Sequence, residues 1–403
     1  MDTGYDRLNS ISKYISEYFK NNNSIGLMEG LSGPMLFQFY MGYLFQENKF
    51  FHSADKLLEH IKSKIQTGNV SYSYSSGLVG FLWTINHLEK EKIINLNNEG
   101  FYSQFNSTLM KYTDKLILNN NYDFLHGILG IANFYFSRLA FTKEITLREI
   151  YNQEINKILK FLNNASKRYK GGNYWVTTLD PKTNEKGVNF GFAHGLPSII
   201  VFLVKYIEFN LEYKREAKDL LLGAINFIYL GKSENGTSLY PSSICLDNEK
   251  PIFEYNSKYS ESRLAWCYGD LSICYSYIIA NKKIKDKIIE AEIDKIIDKT
   301  HSRIEKKTHR IIDAGLCHGA FGLFMLLSKI GKMKKCNRVN EMKDYWFDYG
   351  FSLATHKNGI AGFKSYIEGK WVNEIRLIDG ASGIGLGILS KHYDLTWDEG
   401  FLF

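Results

Sequence analysis

Two short segments place metal-binding side chains at matching points of the chain: Trp266-Cys267-Tyr268-Gly269 and Leu316-Cys317-His318-Gly319. Thiolate and imidazole are preferred zinc ligands. Two cysteines and one histidine supply three protein ligands. Structural zinc sites fill four positions with protein groups, whereas catalytic sites keep one open. A single cysteine at a helix start is ordinarily a small buried hydrophobe. Two at equivalent positions, the second followed by histidine, favour a catalytic zinc ion held by Cys267, Cys317 and His318. Among the other cysteines, Cys274 falls on an apolar helix and is expected in the core. Cys336, in Lys-Met-Lys-Lys-Cys, is expected at the surface, and Cys245 lies in a loop.

His126 and His194 occupy the same place as His318 in two further segments, His126-Gly127 and His194-Gly195. Imidazole titrates near neutral pH, so either could act as a general acid or base. Either could equally be bonded to a neighbouring helix end. Asp123, three residues before His126, reads on its own as a helix N-cap. Arg263, four residues before Cys267, could face the same site or form a loop salt bridge.

These residues share a repeat. A polar residue, then Gly-x-x-Gly, then an apolar stretch recurs at Glu29-Gly30, Ser76-Gly77, His126-Gly127, His194-Gly195, Tyr268-Gly269, His318-Gly319 and Asp379-Gly380. Serine replaces the second glycine at Ser198 and Ser272. Spacings of 47 to 74 residues between first glycines each accommodate two helices and their loops. Stretches such as Met35–Leu44, Ile131–Leu139 and Ile199–Ile207 are apolar on most sides and must be buried. The intervening Leu57–Ile65, Phe105–Ile117, Ile150–Leu162, Tyr213–Tyr229 and Ile284–Ile304 are amphipathic and half-exposed. The pattern predicts an all-α fold. Seven inner and seven outer helices form an α/α toroid, as a single domain over residues 1–403, with each polar residue at an inner-helix N-terminus on one end. Residues 171–190, 231–262 and 356–378 lead into motifs at that end and read as strand-like loops. Loops on a rigid scaffold are where function usually sits.

Bulk properties narrow the classes. With 44% hydrophobic and 23% charged residues, the composition is globular. The net charge of +7 is modest over 403 residues and dispersed, so no nucleic-acid partner is expected. The start, MDTGYDRLNSISKY, lacks the pattern of a signal peptide. The longest apolar run, Leu196–Val204, is about half of a membrane span. Five cysteines without an export signal suggest reduced thiols and a cytoplasmic location.

Gly191-Phe192-Ala193-His194-Gly195, Trp266-Cys267-Tyr268-Gly269 and Cys317-His318-Gly319 together resemble the signature motifs of the lanthionine synthetase C-like family, the lanthipeptide cyclases. The resemblance covers essentially the whole chain. It implies an α/α toroid and Cys267, Cys317 and His318 as zinc ligands. It also implies His194 and Asp123 as catalytic residues, Arg263 as an active-site arginine, and Trp266 and Tyr268 as substrate contacts. The implied reaction joins a peptide cysteine to a dehydroalanine or dehydrobutyrine in a dehydrated precursor peptide, giving a thioether ring. With the first motif at Gly30, no dehydratase domain is expected ahead of the cyclase. A separate dehydratase and an exporter are then implied partners, with membrane association only through such a complex.

Three competing readings make different demands. A related zinc enzyme would use glutathione or another small thiol. A carbohydrate-active α/α barrel would need paired carboxylates at the mouth and would leave the cysteine motifs unexplained. A non-catalytic peptide-binding scaffold would need a fourth protein ligand on a structural zinc.

Overall fold

A computed structural model describes residues 2–96, 98–305 and 307–402. Its helices are α1 (Asp2–Tyr18), α2 (Ser32–Phe45), α3 (Asn48–Gln66), α4 (Leu78–Lys90), α5 (Glu99–Leu118), α6 (Ile128–Phe141), α7 (Ile145–Ala165), α8 (Leu196–Glu208), α9 (Lys214–Leu230), α10 (Asp270–Ile284), α11 (Lys287–Glu305), α12 (Ala320–Met333), α13 (Asn337–Ser352) and α14 (Ala381–Leu389). The even-numbered helices are the apolar ones. Each packs on the next, and α14 packs back on α2, so they close a ring. The odd-numbered helices form the outer layer, α1 lying against α14. The toroid is therefore as expected. Of the outer stretches named above, Ile284–Ile304 is interrupted: Ile284 ends α10, and α11 starts at Lys287.

Burial follows the pattern. In α8, every residue from Leu196 to Val204 is buried, and Pro197 stands in the first turn, where its missing N–H costs nothing. In α13, only Val339, Met342, Trp346 and Gly350 are buried, a single stripe. Among the described residues, no helix is long and apolar enough to cross a membrane.

The glycines permit closure. The second glycine of a motif lies against the loop of its own or the preceding repeat. A Cβ on Gly80 would sit 2.4 Å from the Leu27 nitrogen, and one on Gly322 would sit 1.8 Å from the Leu316 carbonyl oxygen. Ser198 and Ser272 fit in place of glycine because each hydroxyl turns back to donate to a carbonyl three residues earlier, Gly195 at 2.7 Å and Gly269 at 2.8 Å.

The loops ahead of the inner helices are joined by backbone hydrogen bonds around the rim. Donor to acceptor, they run Met28 to Ser75 (3.0 Å), Ser75 to Leu125 (2.8 Å), Phe124 to Ala193 (3.3 Å), Trp266 to Cys317 (3.1 Å), Cys317 to Ile378 (2.8 Å) and Ile378 to Met28 (3.1 Å). At the one remaining junction, Gly191 abuts the Cys267 carbonyl, and a Cβ there would lie 2.1 Å from it.

The three predicted insertions carry every strand but β1, which precedes the first of them. β1 (Lys167–Tyr169) pairs with β2 (Gly172–Tyr174). A four-stranded antiparallel sheet runs β3 (Thr177–Asp180), β4 (Glu185–Asn189), β5 (Ser243–Asp247) and β6 (Lys250–Pro251). β7 (Ser365–Ile367) pairs with β8 (Lys370–Val372). In β4–β5, Asn189 stands opposite Ser243, which ends the strand where the loop to His194 begins.

The centre of the ring is filled at least in part by chain. The turn Trp397–Phe401 lies inside it. Tyr74 Oη donates to the Gly400 carbonyl (3.0 Å), Trp266 Nε1 donates to the Phe401 carbonyl (3.2 Å), and Lys329 pairs with Asp398 (2.7 Å). Cys274 is fully buried, as expected. Cys336 is half-buried at the N-cap of α13 and packs on the core, contrary to its expected surface position.

The glycine contacts yield a test. Gly322→Ala forces a methyl into a backbone oxygen, so it should cost about 2 kcal/mol or more in urea unfolding. Gly4→Ala, with nothing within 4 Å on an outer helix, should be neutral or mildly stabilising. Equal stability of the two variants would contradict close approach as the reason for glycine at 322.

Candidate metal centre and its surroundings

The polar residue of every motif faces the rim. Glu29, Ser76, His194, Tyr268, His318 and Asp379 are partly exposed and His126 is exposed, while the glycine after each is buried. Five of the seven motif glycines cap the next helix in extended conformation. Seven inner-helix N-termini thus converge on one mouth, and their dipoles favour negative charge there.

Cys267, Cys317 and His318 come together as expected, with their donor atoms all within 4.8 Å of one another. The cause lies in the backbone. The Trp266 and Cys267 N–H groups both donate to the Cys317 carbonyl, at 3.1 and 3.2 Å, so adjacent repeats are joined at the ligands themselves. All five cysteines are free thiols. A hydrogen bond from Cys317, then the imidazole and charge of His318 and the charge of Arg263, overcome burial and pull the Cys267 thiol down to about 5. Cys317 is driven up by the same bond to Cys267 and by burial. His318 is raised, chiefly by its bond to Cys267. A donor set of two thiols and an imidazole, one thiol already acidic, fits zinc. Among the described residues, the group has no fourth member.

His194 Nδ1 is hydrogen-bonded to Asp123 Oδ2 across two repeats. Asp123 also serves its own loop, since its Oδ1 accepts the His126 N–H at 2.8 Å. It is both partner and local cap. Burial opposes charge on His194, but the bond and charge of Asp123, with Cys267 and Glu29, outweigh it and raise the pKa. His126 stands apart, exposed, its ring in no contact described.

Arg263 is exposed and makes no ion pair or hydrogen bond among the described residues, while its charge acts on both cysteines. The loop salt bridge considered above is absent there. Tyr268 stands beside His194, ring centroids 6.5 Å apart, and its hydroxyl accepts from Asn189 Nδ2 at 3.0 Å. Burial first, then Cys267, pushes that phenol up to about 12. Trp266 is corrected. It is fully buried, its indole packed on Phe401, Phe192 and Phe124, and no surface remains for a substrate.

Residues not singled out by the sequence complete the site. Asn189 holds Tyr268. Asp379, the polar residue of the seventh motif, is raised to about 6 by burial against the lowering charges of His318 and Arg376. Asp313 lies 3.9 Å from His318 Nε2. The signal for Asp379 was its motif position. The signal for Asn189 and Asp313 was their common place six residues before a motif glycine.

The His194–Asp123 pair can be titrated. A raised pKa means imidazolium persists to higher pH than in free histidine. The pair then stabilises the fold below the unfolded value, and this contribution is lost as pH rises through the folded one. In Asp123→Asn, burial dominates, and the His194 ring signals should titrate below about 6.5 by NMR. An unchanged value would rule out Asp123 as the cause.

The comparisons agree with the toroid fold. A family model described as "Lanthionine synthetase C-like protein" matches residues 21–402. Among solved structures, a nisin cyclase is similar with a TM-score of 0.77 and 20% identity, over 98% of this chain and 96% of that one. No curated protein matches. With the profile spanning nearly all of the chain, this protein belongs to the lanthionine synthetase C-like family.

Proposed function

We propose that the protein is a zinc-dependent lanthipeptide cyclase, forming lanthionine and methyllanthionine rings by adding peptide cysteine thiols to dehydroalanine or dehydrobutyrine. The observation that carries this reading is a three-donor thiol–imidazole group sharing one mouth with a carboxylate-paired histidine and an unpaired arginine. Cys267, Cys317 and His318 would hold the ion. When bound, zinc would supply the acidity that makes a substrate thiol a thiolate at neutral pH.

The chain's own residues account for the rest. The sulfur–carbon bond forms at the β-carbon as the carbon–carbon double bond opens, and the electron pair moves toward the α-carbon and its carbonyl. Arg263, with no partner of its own, balances the negative charge on that oxygen. His194, kept protonated by Asp123, delivers a proton to the α-carbon. The thiol's proton passes to solvent and solvent re-protonates His194, so the α-carbon gains one proton for the one the thiol loses and nothing leaves. Tyr268, held by Asn189, lies against the substrate beside His194, while buried Trp266 shapes the loop from behind. The substrate is a dehydrated precursor peptide, so a dehydratase must act on that peptide first, and an exporter is a further candidate partner. Reduced cysteines point to the cytoplasm.

Incubation with a dehydrated, cysteine-containing peptide should remove free thiols at constant substrate mass and in proportion to bound zinc. Cys317→Ala should lose both zinc and activity, and Arg263→Ala should retain zinc while slowing the reaction about 100-fold or more. Thiols that persist with zinc-loaded protein would sink the cyclase reading.

A further inference from the structure

We propose that Asp313 is a positioning residue that orients His318 for the metal, an inference resting on the zinc reading above. The repeats supply an internal comparison. Six residues before the motif glycine, Ser71 Oγ, Asn121 Oδ1 and Asn189 Oδ1 each accept the N–H two residues on, at 3.3, 3.1 and 2.8 Å. Asp313 Oδ1 does the same for Gly315 at 3.1 Å. A neutral oxygen therefore suffices to close this turn. Asp313 is 4% exposed, and a buried carboxylate is costly unless its charge is used.

Its second oxygen shows the use. Oδ2 accepts the Tyr366 N–H of β7 at 3.1 Å and lies 3.9 Å from His318 Nε2. That distance is an ionic contact, about 1 Å longer than a hydrogen bond. With Nε2 facing the carboxylate, the Nε2–H tautomer is favoured and Nδ1 remains free as donor. A carboxylate behind a ligating imidazole fixes its orientation and raises its basicity. Glu374, the acid at the same place in the seventh repeat, spends its charge on Arg376 at 2.9 Å. Among the described residues, Asp313 has no Lys or Arg partner. Each site histidine thus has a carboxylate beside it, Asp123 hydrogen-bonded to Nδ1 of His194 and Asp313 in longer contact with Nε2 of His318. Asp313 also fastens the β7–β8 hairpin, whose Ser365 hydroxyl donates to the Asp379 carbonyl at 2.6 Å, to the metal ligand.

The test is zinc affinity measured on the full chain by competition with a chromogenic chelator. Asp313→Asn keeps the turn-closing oxygen used by Asn121 and Asn189, and Asp313→Ser copies Ser71. Both should bind zinc about 10- to 100-fold more weakly than the parent protein. The melting temperature of their chelator-treated, metal-free forms should change little. Parent-like affinity in both variants would overturn the positioning role and leave the zinc reading intact. A loss of affinity matched by an equal fall in metal-free melting would show a purely structural role, and also overturn it. Absence of zinc binding by the parent protein would refute the zinc reading first.

Discussion

The rest of the structure depends on the hydrogen-bonded rim. Seven loops must meet edge to edge, by backbone hydrogen bonds at six junctions and by the close approach of Gly191 to the Cys267 carbonyl at the other, before the inner helices can close a ring. Close approach excludes side chains at set points, and there the sequence has glycine or a serine that bonds to its own turn. Once the rim is closed, the residue before each motif glycine has one direction left, outward over the mouth. The site follows from packing. Chemistry is obtained by varying a few positions in the turn ahead of each motif glycine, on a scaffold fixed by its neighbours.

The fifth repeat departs furthest from that pattern, and the departures serve the site. Arg263 stands where other repeats have an oxygen acceptor, so the turn loses its side-chain closure and the mouth gains a free cation. The backbone adapts at Gly269, whose φ of 106° is open to glycine and strained for other residues. Asp270, fully buried, accepts the Leu239 and Tyr240 N–H groups at 3.1 and 3.0 Å and faces Arg303 at 3.7 Å. Those bonds dock the 231–262 insertion on the start of α10. Support given up by the local turn returns through a buried network from outside the repeat.

Much of this was legible in the sequence because periodicity reports burial directly. The inner helices, the ring, the three strand-bearing insertions and the Cys-Cys-His group all follow from spacing and residue type. Other features depend on direction or on distant partners. Trp266 and Cys267 are neighbours in one motif, yet consecutive side chains at a helix start point opposite ways, one inward onto Phe401 and one toward the ligands. α1 was not anticipated as the partner of α14, because that pairing joins residues more than 350 positions apart. α13 shows one narrow apolar stripe in a charged segment. Asp313 resembles any turn-closing Asx residue until the structure places His318 and β7 against its second oxygen.

The Trp397–Phe401 turn fixes how the site is reached. Phe401 and Leu402 are buried inside the ring, Glu399 pairs with Lys90 at 2.7 Å, and the Glu399 carbonyl is within 3.5 Å of Asn133 Nδ2. The interior is therefore occupied by hydrogen-bonded chain that would have to unfold locally to open a channel. Cys267, Cys317 and His318 lie at the rim end of the ring. Under the cyclase reading, a peptide approaches and departs over the same rim, past Arg263, Tyr268 and the β7–β8 hairpin. The rim that closes the ring is then also the surface on which substrates are distinguished, and changes in its insertions alter recognition without disturbing the hydrogen bonds that hold the ligands.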